Sequence, residues 1–404
     1  MVIPVLDPAT GGPPGIAAAQ AVALQQLGTT AHIACYTGWK QDTSGHERAT
    51  AMLQATAHEA SAHRPSPLAT PKVIPLGPLD WPETLFASRA KEQLRDLLSS
   101  RAYDIVQFHG VWDPLIMWAA KLCRELSIPY VITAHGMLEP WALRKRFKKE
   151  LFWRLGWSSA LTRAAALHEH HAGPVIVLGR RIDVPTFDIP NGVWPGGSTN
   201  LQQLRADTST IWHDMCARWP ALSGSRIVLF LARLAEQKAP EILVEAFGKA
   251  LPKLPADVTL LMAGPDYGDE ALAQSKCANQ PWSSRVVFTG GLYGPQKQAA
   301  LSHSEVFALP SRHEGFSVAV LEAMRHELPC IITPACHFAR AAEANAAEIV
   351  PGDADEFASA LIRVLHTPGR SSAMGLAARN LVESEYTWPR VASMLQQMYA
   401  AVLK

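Results

Sequence analysis

The chain has 404 residues, 48% of them hydrophobic and 18% charged, with 30 prolines and a formal net charge of +1. That composition excludes an intrinsically disordered chain and a surface built as a whole for nucleic acid, and the length suits two domains of roughly 200 residues better than one core. No apolar run reaches the ~18 residues that a membrane-spanning helix needs.

Met1 to Leu6 reads as a short buried strand. A strand that begins at the first residue leaves open a start a few residues upstream. D-P-A-T-G-G-P-P-G and the Ala-rich run I-A-A-A-Q-A-V-A-L-Q-Q-L-G follow it. Strand, Gly loop and helix in that order make the first turn of a doubly wound α/β domain, where ligands sit beyond the strand's carboxyl end. Gly11 and Gly12 permit close approach of a phosphate, but the loop lacks G-x-G-x-x-G spacing and a plain tight turn reads equally well. A-H-I-A-C-Y is a second strand, residues 46–70 a polar, Pro-bearing excursion or mobile loop, and residues 83–100 a helix. The cysteines form no C-x-x-C pair and no signal peptide precedes V-I-P-V-L, so a cytoplasmic protein without disulfides is expected.

Y-D-I-V-Q-F-H-G and P-Y-V-I-T-A-H-G repeat one layout on either side of a helix at 114–126. In an open parallel sheet both His109 and His135 then emerge at strand carboxyl ends, where binding clefts form; a satisfied turn histidine is the competing reading. Residues 144–157 cluster Arg144, Lys145, Arg146, Lys148, Lys149 and Arg154 with Phe147, Leu151, Phe152, Trp153 and Trp157. This reads either as a contact with an anionic membrane surface, cations on headgroups and rings in the interface, or as a helix that buries its aromatics. L-H-E-H-H at 167–171 lacks the i, i+4 histidine pair of a zinc helix and reads as a strand end and polar loop.

V-P-T-F-D-I-P-N-G-V-W-P-G-G is the strongest punctuation in the middle of the chain, and the domain boundary is set after residue 196. The α/β alternation restarts with R-I-V-L-F-L-A. Arg233 and Lys238 occupy its first strand-to-helix loop, where two cations can neutralise a departing diphosphate. Gly264 and Asp266 follow at a strand end. After V-F-A-L-P comes S-R-H-E-G-F-S-V-A-V-L-E-A-M, a charged turn into a helix that opens near Ser317 or Val318; unpaired helix N–H groups there make an anion seat. Glu314 and Glu322 stand eight residues apart, about two helical turns, so both could face that seat. In G-D-A-D-E-F, Asp353 and Asp355 precede a helical run and read as cap and first-turn charge, not as a metal-binding pair.

R-L-A-E-Q-K-A-P, A-G-P-D, F-T-G and P-S-R-H-E-G-F-S-V-A-V-L-E-A-M, in this order, resemble the signature of the retaining glycosyltransferases of family four, of the bacterial cell-surface polysaccharide type. The resemblance covers nearly the whole chain and implies a GT-B fold. That is two Rossmann-like doubly wound domains facing across a cleft: an acceptor-side domain of 1–196 completed by a crossing terminal helix at 388–404, and a nucleotide-sugar-binding domain of 197–387. It implies a metal-independent hexosyltransferase with no cofactor, using a UDP- or GDP-linked sugar. Arg233, Lys238 and the N–H groups around Gly315, Phe316, Ser317 and Val318 would hold the diphosphate, with Gly264 and Asp266 beside it. Glu322 would bind the ribose, Glu314 would lie at the sugar, Gly11 and Gly12 would close over the diphosphate, His135 would lie near the reacting centre and His109 on the acceptor side. The acceptor implied is a saccharide or lipid-linked saccharide, with a peripheral seat on the inner face of the membrane and no nucleic acid partner. L-H-E-H-H departs from the T-S-E-x-E-like run of many members, and Ser317 stands where a Gly often follows the Phe, adding a possible side-chain cap. Rivals are a GT-B epimerase and a non-catalytic nucleotide-sugar-binding scaffold.

Overall fold

Short runs rich in β-branched residues become strands buried on both faces, as a helix-covered parallel sheet demands. In the first unit these are β1 (Val2–Val5), β2 (Ile33–Tyr36), β3 (Val73–Pro75), β4 (Val106–His109), β5 (Tyr130–Thr133) and β6 (Ala166–Glu169). After the small antiparallel hairpin of β7 (Ile176–Val177) and β8 (Arg180–Arg181), β9 (Thr186–Asp188) closes the sheet, whose order is β3-β2-β1-β4-β5-β6-β9, all parallel. The second unit repeats the plan with β10 (Arg226–Leu231), β11 (Val258–Ala263), β12 (Val286–Gly290), β13 (Val306–Leu309), β14 (Cys330–Ile332) and β15 (Ala347–Ile349), ordered β12-β11-β10-β13-β14-β15. Each sheet reverses its winding beside its first strand, the place where doubly wound folds bind ligands. The structure is a computed structural model and describes every residue except 8–9, 41, 43, 62–69, 101, 145, 171–172, 197–199 and 368, with residues 146–148 described by backbone alone. The units are Met1–Trp194 with Thr387–Lys404, and Pro195–Tyr386.

Helices of the first unit depart from expectation at two places. After α1 (Gly12–Gln26), residues of the expected excursion form α2 (Gly45–Ser61), which buries Ala49, Leu53 and Ala60. Its inward stripe is built largely from small residues, so its apolar period is faint. The remainder of that excursion, 62–69, lies outside the described residues. The helix expected at 83–100 is two, α3 (Trp81–Phe86) and α4 (Ser88–Ser99), broken at Ala87, whose φ of 46° is left-handed. Helix α5 (Pro114–Glu125) links β4 to β5 and is capped by Asp113, whose carboxylate accepts from Leu115 N at 2.8 Å.

The C-terminal helix Trp388–Val402 belongs to the first unit, where it packs on α1. Trp388 N donates to Val193 O at 2.9 Å and Gln396 Nε2 to Thr29 Oγ1 at 2.7 Å. Its Tyr399 hydroxyl donates to Gln107 Oε1 and so enters a buried polar ladder. Gln107 Nε2 donates to Gln20 Oε1 (3.1 Å) and to Thr133 Oγ1 (2.7 Å), and Thr133 Oγ1 bonds His168 Nδ1 at 3.0 Å. His168 Nε2 lies 2.8 Å from Ile189 O, a bond in which only the imidazole can donate. The ring is therefore the neutral Nε2–H tautomer with the Thr133 hydroxyl donating to Nδ1, and burial pushes its pKa down to about 3.

In the second unit Asp353 caps the helix Ala354–His366, accepting from the N–H groups of Asp355 (3.1 Å) and Glu356 (3.0 Å), while Asp355 pairs with Lys249 at 3.0 Å. Gly264, at the end of β11, has a packing reason: a Cβ there would lie 1.7 Å from the Ala232 carbonyl oxygen. The close approach lets Leu234 bridge Asp266 beyond the strands.

Two expectations follow. Gly264→Ala lowers unfolding free energy by ~2 kcal/mol or more, because two backbones must separate; an unchanged denaturation midpoint removes that explanation. His168 is neutral when folded and takes up a proton when unfolded near pH 6.5, so its contribution is complete above pH 6.5 and is lost as pH falls toward 3, at up to ~1.4 kcal/mol per pH unit. Denaturant titrations at pH 7.5 and 5 read this loss together with that of the other buried histidines, and His168→Asn makes it shallower by the His168 share.

Candidate functional site

At the carboxyl edge of the second sheet, loops from three strands are bonded together. Leu234 N donates to Pro265 O and Tyr267 N to Leu234 O, each at 2.9 Å, joining the loops after β10 and β11. Arg312 in the loop after β13 donates through its N to Gln237 O and through Nη1 to Glu236 O, both at 2.8 Å, and pairs through Nη2 with Glu241 at 2.5 Å. The expected cations ride on this frame. The Arg233 guanidinium stands 4.9 Å from the Tyr267 ring, within cation–π range. Lys238 ends a short 3-10 turn, Glu236–Lys238, just before the helix Pro240–Ala250.

Glu314 is a buried acid of the unit, 6% exposed. It forms an ion pair with Lys238 and accepts from Ser311 Oγ at 2.8 Å, while Ser311 O accepts from Thr333 Oγ1 at 2.6 Å. A carboxylate so withdrawn from water keeps its charge only when paired and hydrogen-bonded. The ammonium has three N–H donors, so the Lys238–Glu314 contact leaves donors for an anion.

The helix Val318–Arg325 opens just beyond Glu314. Ser317 is its cap residue, extended at φ −75° and ψ 111°, but its side chain makes no capping bond, which corrects the expected side-chain cap. The backbone from Gly315 to Val318 thus supplies the N-terminal donors. Phe316 contributes backbone only, since its ring is buried against Phe338 (5.0 Å) and Tyr386 (5.8 Å). Glu322 pairs with Lys297 at 2.6 Å, so each of the two carboxylates spaced eight apart has its own cation. Asp266 directs Oδ1 to the N–H groups of Gly268 (2.8 Å) and Glu270 (3.1 Å), and these bonds hold its pKa below the usual carboxylate range. With Gly264 it shapes the loop that carries Arg233.

In the first unit, Gly11 precedes α1 at φ 113° and ψ −155°, and Gly12 has open space at its missing Cβ. His109 and His135 emerge together at the ends of β4 and β5, with His109 Nδ1 and His135 Nε2 sharing a hydrogen bond of 3.0 Å. His135 has φ 53°, a strained conformation for a residue with a Cβ. Burial, then neighbouring positive charge, pushes both pKa values well below the usual histidine range, so both rings are neutral. His109 Nε2 and His135 Nδ1 are buried without a partner. In either tautomer arrangement one of them is a donor and the other an acceptor, the pair that a sugar hydroxyl can satisfy.

Sequence reasoning missed that L-H-E-H-H joins this group. Pairing of β6 with β5 brings His168 and His170 in, with the His170 ring 5.7 Å from His135 and 4.9 Å from His168. His171 lies outside the described residues, and among those described no group of three His, Cys, Asp or Glu is arranged to hold a metal. Lys297, Ser311 and Arg312 were also missed. In segment 144–157, among the described rings, Trp157 is buried, Phe152 stacks on it at 5.0 Å and Arg180 covers Trp153, while Lys149 covers Trp112 at 4.4 Å. Lys145 is outside the described residues, as are the side chains of Arg146, Phe147 and Lys148.

Residues 15–199 match the family Glycosyltransferase Family 4 and residues 225–367 the family Glycosyl transferases group 1. Among curated relatives, a GDP-mannose-dependent alpha-mannosyltransferase of Mycolicibacterium smegmatis is 34% identical over 45% of this chain and 44% of its own length. A GDP-mannose-dependent alpha-(1-6)-phosphatidylinositol monomannoside mannosyltransferase of the same organism is 24% identical over 78% of this chain and 80% of its own. The chain spans about half the length of most curated relatives it matches. Among solved structures, Anabaena HepE in complex with UDP and glucose superposes with a TM-score of 0.71 at 15% identity, covering 99% of both chains. Two family matches that together take in both units, and a GT-B neighbour along the full length, show that the chain belongs to glycosyltransferase family four and has the GT-B fold.

Proposed function

We propose that the protein is a retaining, metal-independent hexosyltransferase that moves a sugar from a nucleoside-diphosphate donor, UDP- or GDP-linked, to a saccharide or lipid-linked saccharide in cell-surface polysaccharide synthesis. The observation that carries this reading is the buried Lys238–Glu314 pair, held by Ser311 at the entrance of the helix Val318–Arg325. It sets a fixed cation beside the helix's N-terminal donors, which is what a departing diphosphate requires. Arg233 adds a second cation, and Glu322 with Lys297 is the ribose contact. Glu314, committed to Lys238 and Ser311, suits orienting the sugar better than accepting a proton. Same-face attack, with a departing phosphate oxygen taking the acceptor's proton, accounts for retention without a covalent nucleophile. His135 and His109 present a neutral donor and acceptor to sugar hydroxyls. The relatives named as mannosyltransferases support a nucleotide-sugar donor, and the one acting on phosphatidylinositol monomannoside supports a lipid-linked acceptor. A cytoplasmic location, peripheral at the inner face of the cell membrane, goes with that acceptor.

Glu314→Gln keeps the bond from Ser311 but not the charge, and lowers transfer by ~100-fold or more with the fold intact by circular dichroism. Lys238→Ala is equally inactive and also loses ~3 kcal/mol of stability, because a buried carboxylate is left unpaired. Near-wild-type turnover in Glu314→Gln would sink the assignment. A thermal-shift screen with UDP-, GDP- and ADP-sugars identifies the donor: at a hundred times its Kd the right one adds ~2.7 kcal/mol, and Arg233→Ala removes most of that shift. Binding without turnover would instead mark a scaffold.

A further inference from the structure

The short helix α3 is inverted. Its one charged residue, Glu83, is 2% exposed, and its carboxylate accepts from the N–H groups of Arg89 (3.0 Å) and Ala90 (2.9 Å) at the start of α4. Its large apolar residues face water instead: Trp81 is 76% exposed, Leu85 58% and Phe86 57%. Trp39 joins them at 49%, its ring edge-on to Trp81 at 6.2 Å, because Trp39 and Leu79 extend the β2–β3 pairing by one bridge. At the base of the helix, Asp80 caps α3 and pairs with both Lys40 (2.7 Å) and Arg89 (3.0 Å). Scattered exposed apolar side chains are ordinary, but four large ones on one short helix and its neighbour mark a contact surface. The patch lies beyond the carboxyl ends of β2 and β3, the same sheet edge at which β4 and β5 deliver His109 and His135.

We propose that α3 with Trp39 is the face by which this unit seats on a lipid bilayer, with the rings at the headgroup–acyl boundary and Lys40, Asp80 and Arg89 in the headgroup layer. It rests on the reading of the acceptor as lipid-linked and names where that lipid phase is met. Composition selects the occupant first: two Trp, a Phe and a Leu, rimmed by an ion-pair cluster, is the anatomy of an interfacial anchor. Size is the second argument. Side chains of ~150–250 Å² each, half to three-quarters exposed, offer a few hundred Å² together, short of the ~800 Å² per partner of a stable protein interface. Charge is the third. Lys40 and Arg89 pair with Asp80, and Asp42, whose N–H donates to Trp39 O at 2.7 Å, pairs with Arg48 at 2.5 Å, so the rim is close to neutral and the contact is apolar. This separates it from an attraction of segment 144–157 to anionic lipid, where Trp157 is buried and Phe152 stacks on it.

The test is flotation of the full chain with phosphatidylcholine vesicles, with and without about one-third phosphatidylglycerol, at low and high salt. The wild type floats with both, and its bound fraction changes by about twofold at most with salt or lipid charge. Trp81→Ser with Phe86→Ser lowers binding about tenfold or more, while Leu151→Ser with Leu155→Ser leaves it within about twofold; all keep the wild-type melting temperature. Leu85→Ser alone gives a smaller loss in the same direction. Flotation of the double α3 variant like wild type, wild-type binding to anionic vesicles only, or no wild-type binding at all overturns the proposal. A dimer in sedimentation equilibrium that the α3 variant dissolves also overturns it, in favour of a second copy. Hydrolysis of UDP- and GDP-sugars is read alongside. The α3 variants leave it unchanged, and a wild type that floats but never consumes a donor fails as a transferase while the docking face stands.

Discussion

A parallel sheet sends every strand the same way, so all of its carboxyl ends fall on one edge, and whatever chemistry the fold supports must be collected there from segments far apart in sequence. The second unit shows what that constraint requires. Arg233, Lys238, Asp266 and Glu314 arrive from the ends of β10, β11 and β13, and loops that met only through side chains would scatter them. Backbone bonds between Leu234 and Pro265 and between Arg312 and Gln237 hold the loops at fixed separation, and Gly264 permits the closest of those approaches. Only on such a frame is a buried Lys238–Glu314 pair affordable, since two charges taken out of water need fixed geometry and further hydrogen bonds to offset their desolvation.

Much of this was legible in the sequence, for physical reasons that also mark where legibility stops. Strands buried on both faces are continuous apolar runs, and residues following them in a Gly or charged loop belong to the binding edge, so Arg233, Lys238, Glu314, His109 and His135 could be singled out. Partnerships across the sheet could not. Lys297 comes from a polar helix with no motif, and nothing local says that it meets Glu322. L-H-E-H-H read as a strand end and a polar loop, and that His168 and His170 join His135 depends on the β5–β6 pairing, which is non-local. Roles within a motif also escaped: the same letters served for Phe316, whose ring is core, and for its neighbours, whose backbone opens the helix. Ser317 keeps the cap position without the side-chain bond that its residue type suggested.

The membrane-contact reading shows the same limit from the other side. Basic residues interleaved with aromatics made segment 144–157 conspicuous, yet a cation beside a ring is as well satisfied by packing on it, as Lys149 does on Trp112 and Arg144 on Trp141 at 3.9 Å. In α3 the sequence W-P-E-T-L-F offers no such cue. Which side of a helix that short faces inward is decided by one buried bond set, that of Glu83 to the first amides of α4, and by the left-handed Ala87 between the helices. A period taken over 83–100 averages across that break and hides the inversion.

The two units use opposite electrostatics, and the contrast bears on the proposed reaction. Around Glu314 and Lys238 the buried groups are charged and compensate each other. Around His135 burial keeps them neutral, and a chain that starts at Tyr399 on the C-terminal helix and runs through Gln107 and Thr133 to His168 fixes the His168 tautomer. A diphosphate leaving group carries its charge from ground state to product and is matched by permanent cations. An acceptor hydroxyl and the sugar's own hydroxyls are neutral and call for neutral hydrogen-bonding groups. Desolvation of the His109–His135 pair disfavours its protonation, so the first unit offers neutral hydrogen-bonding groups where the second offers compensated charge.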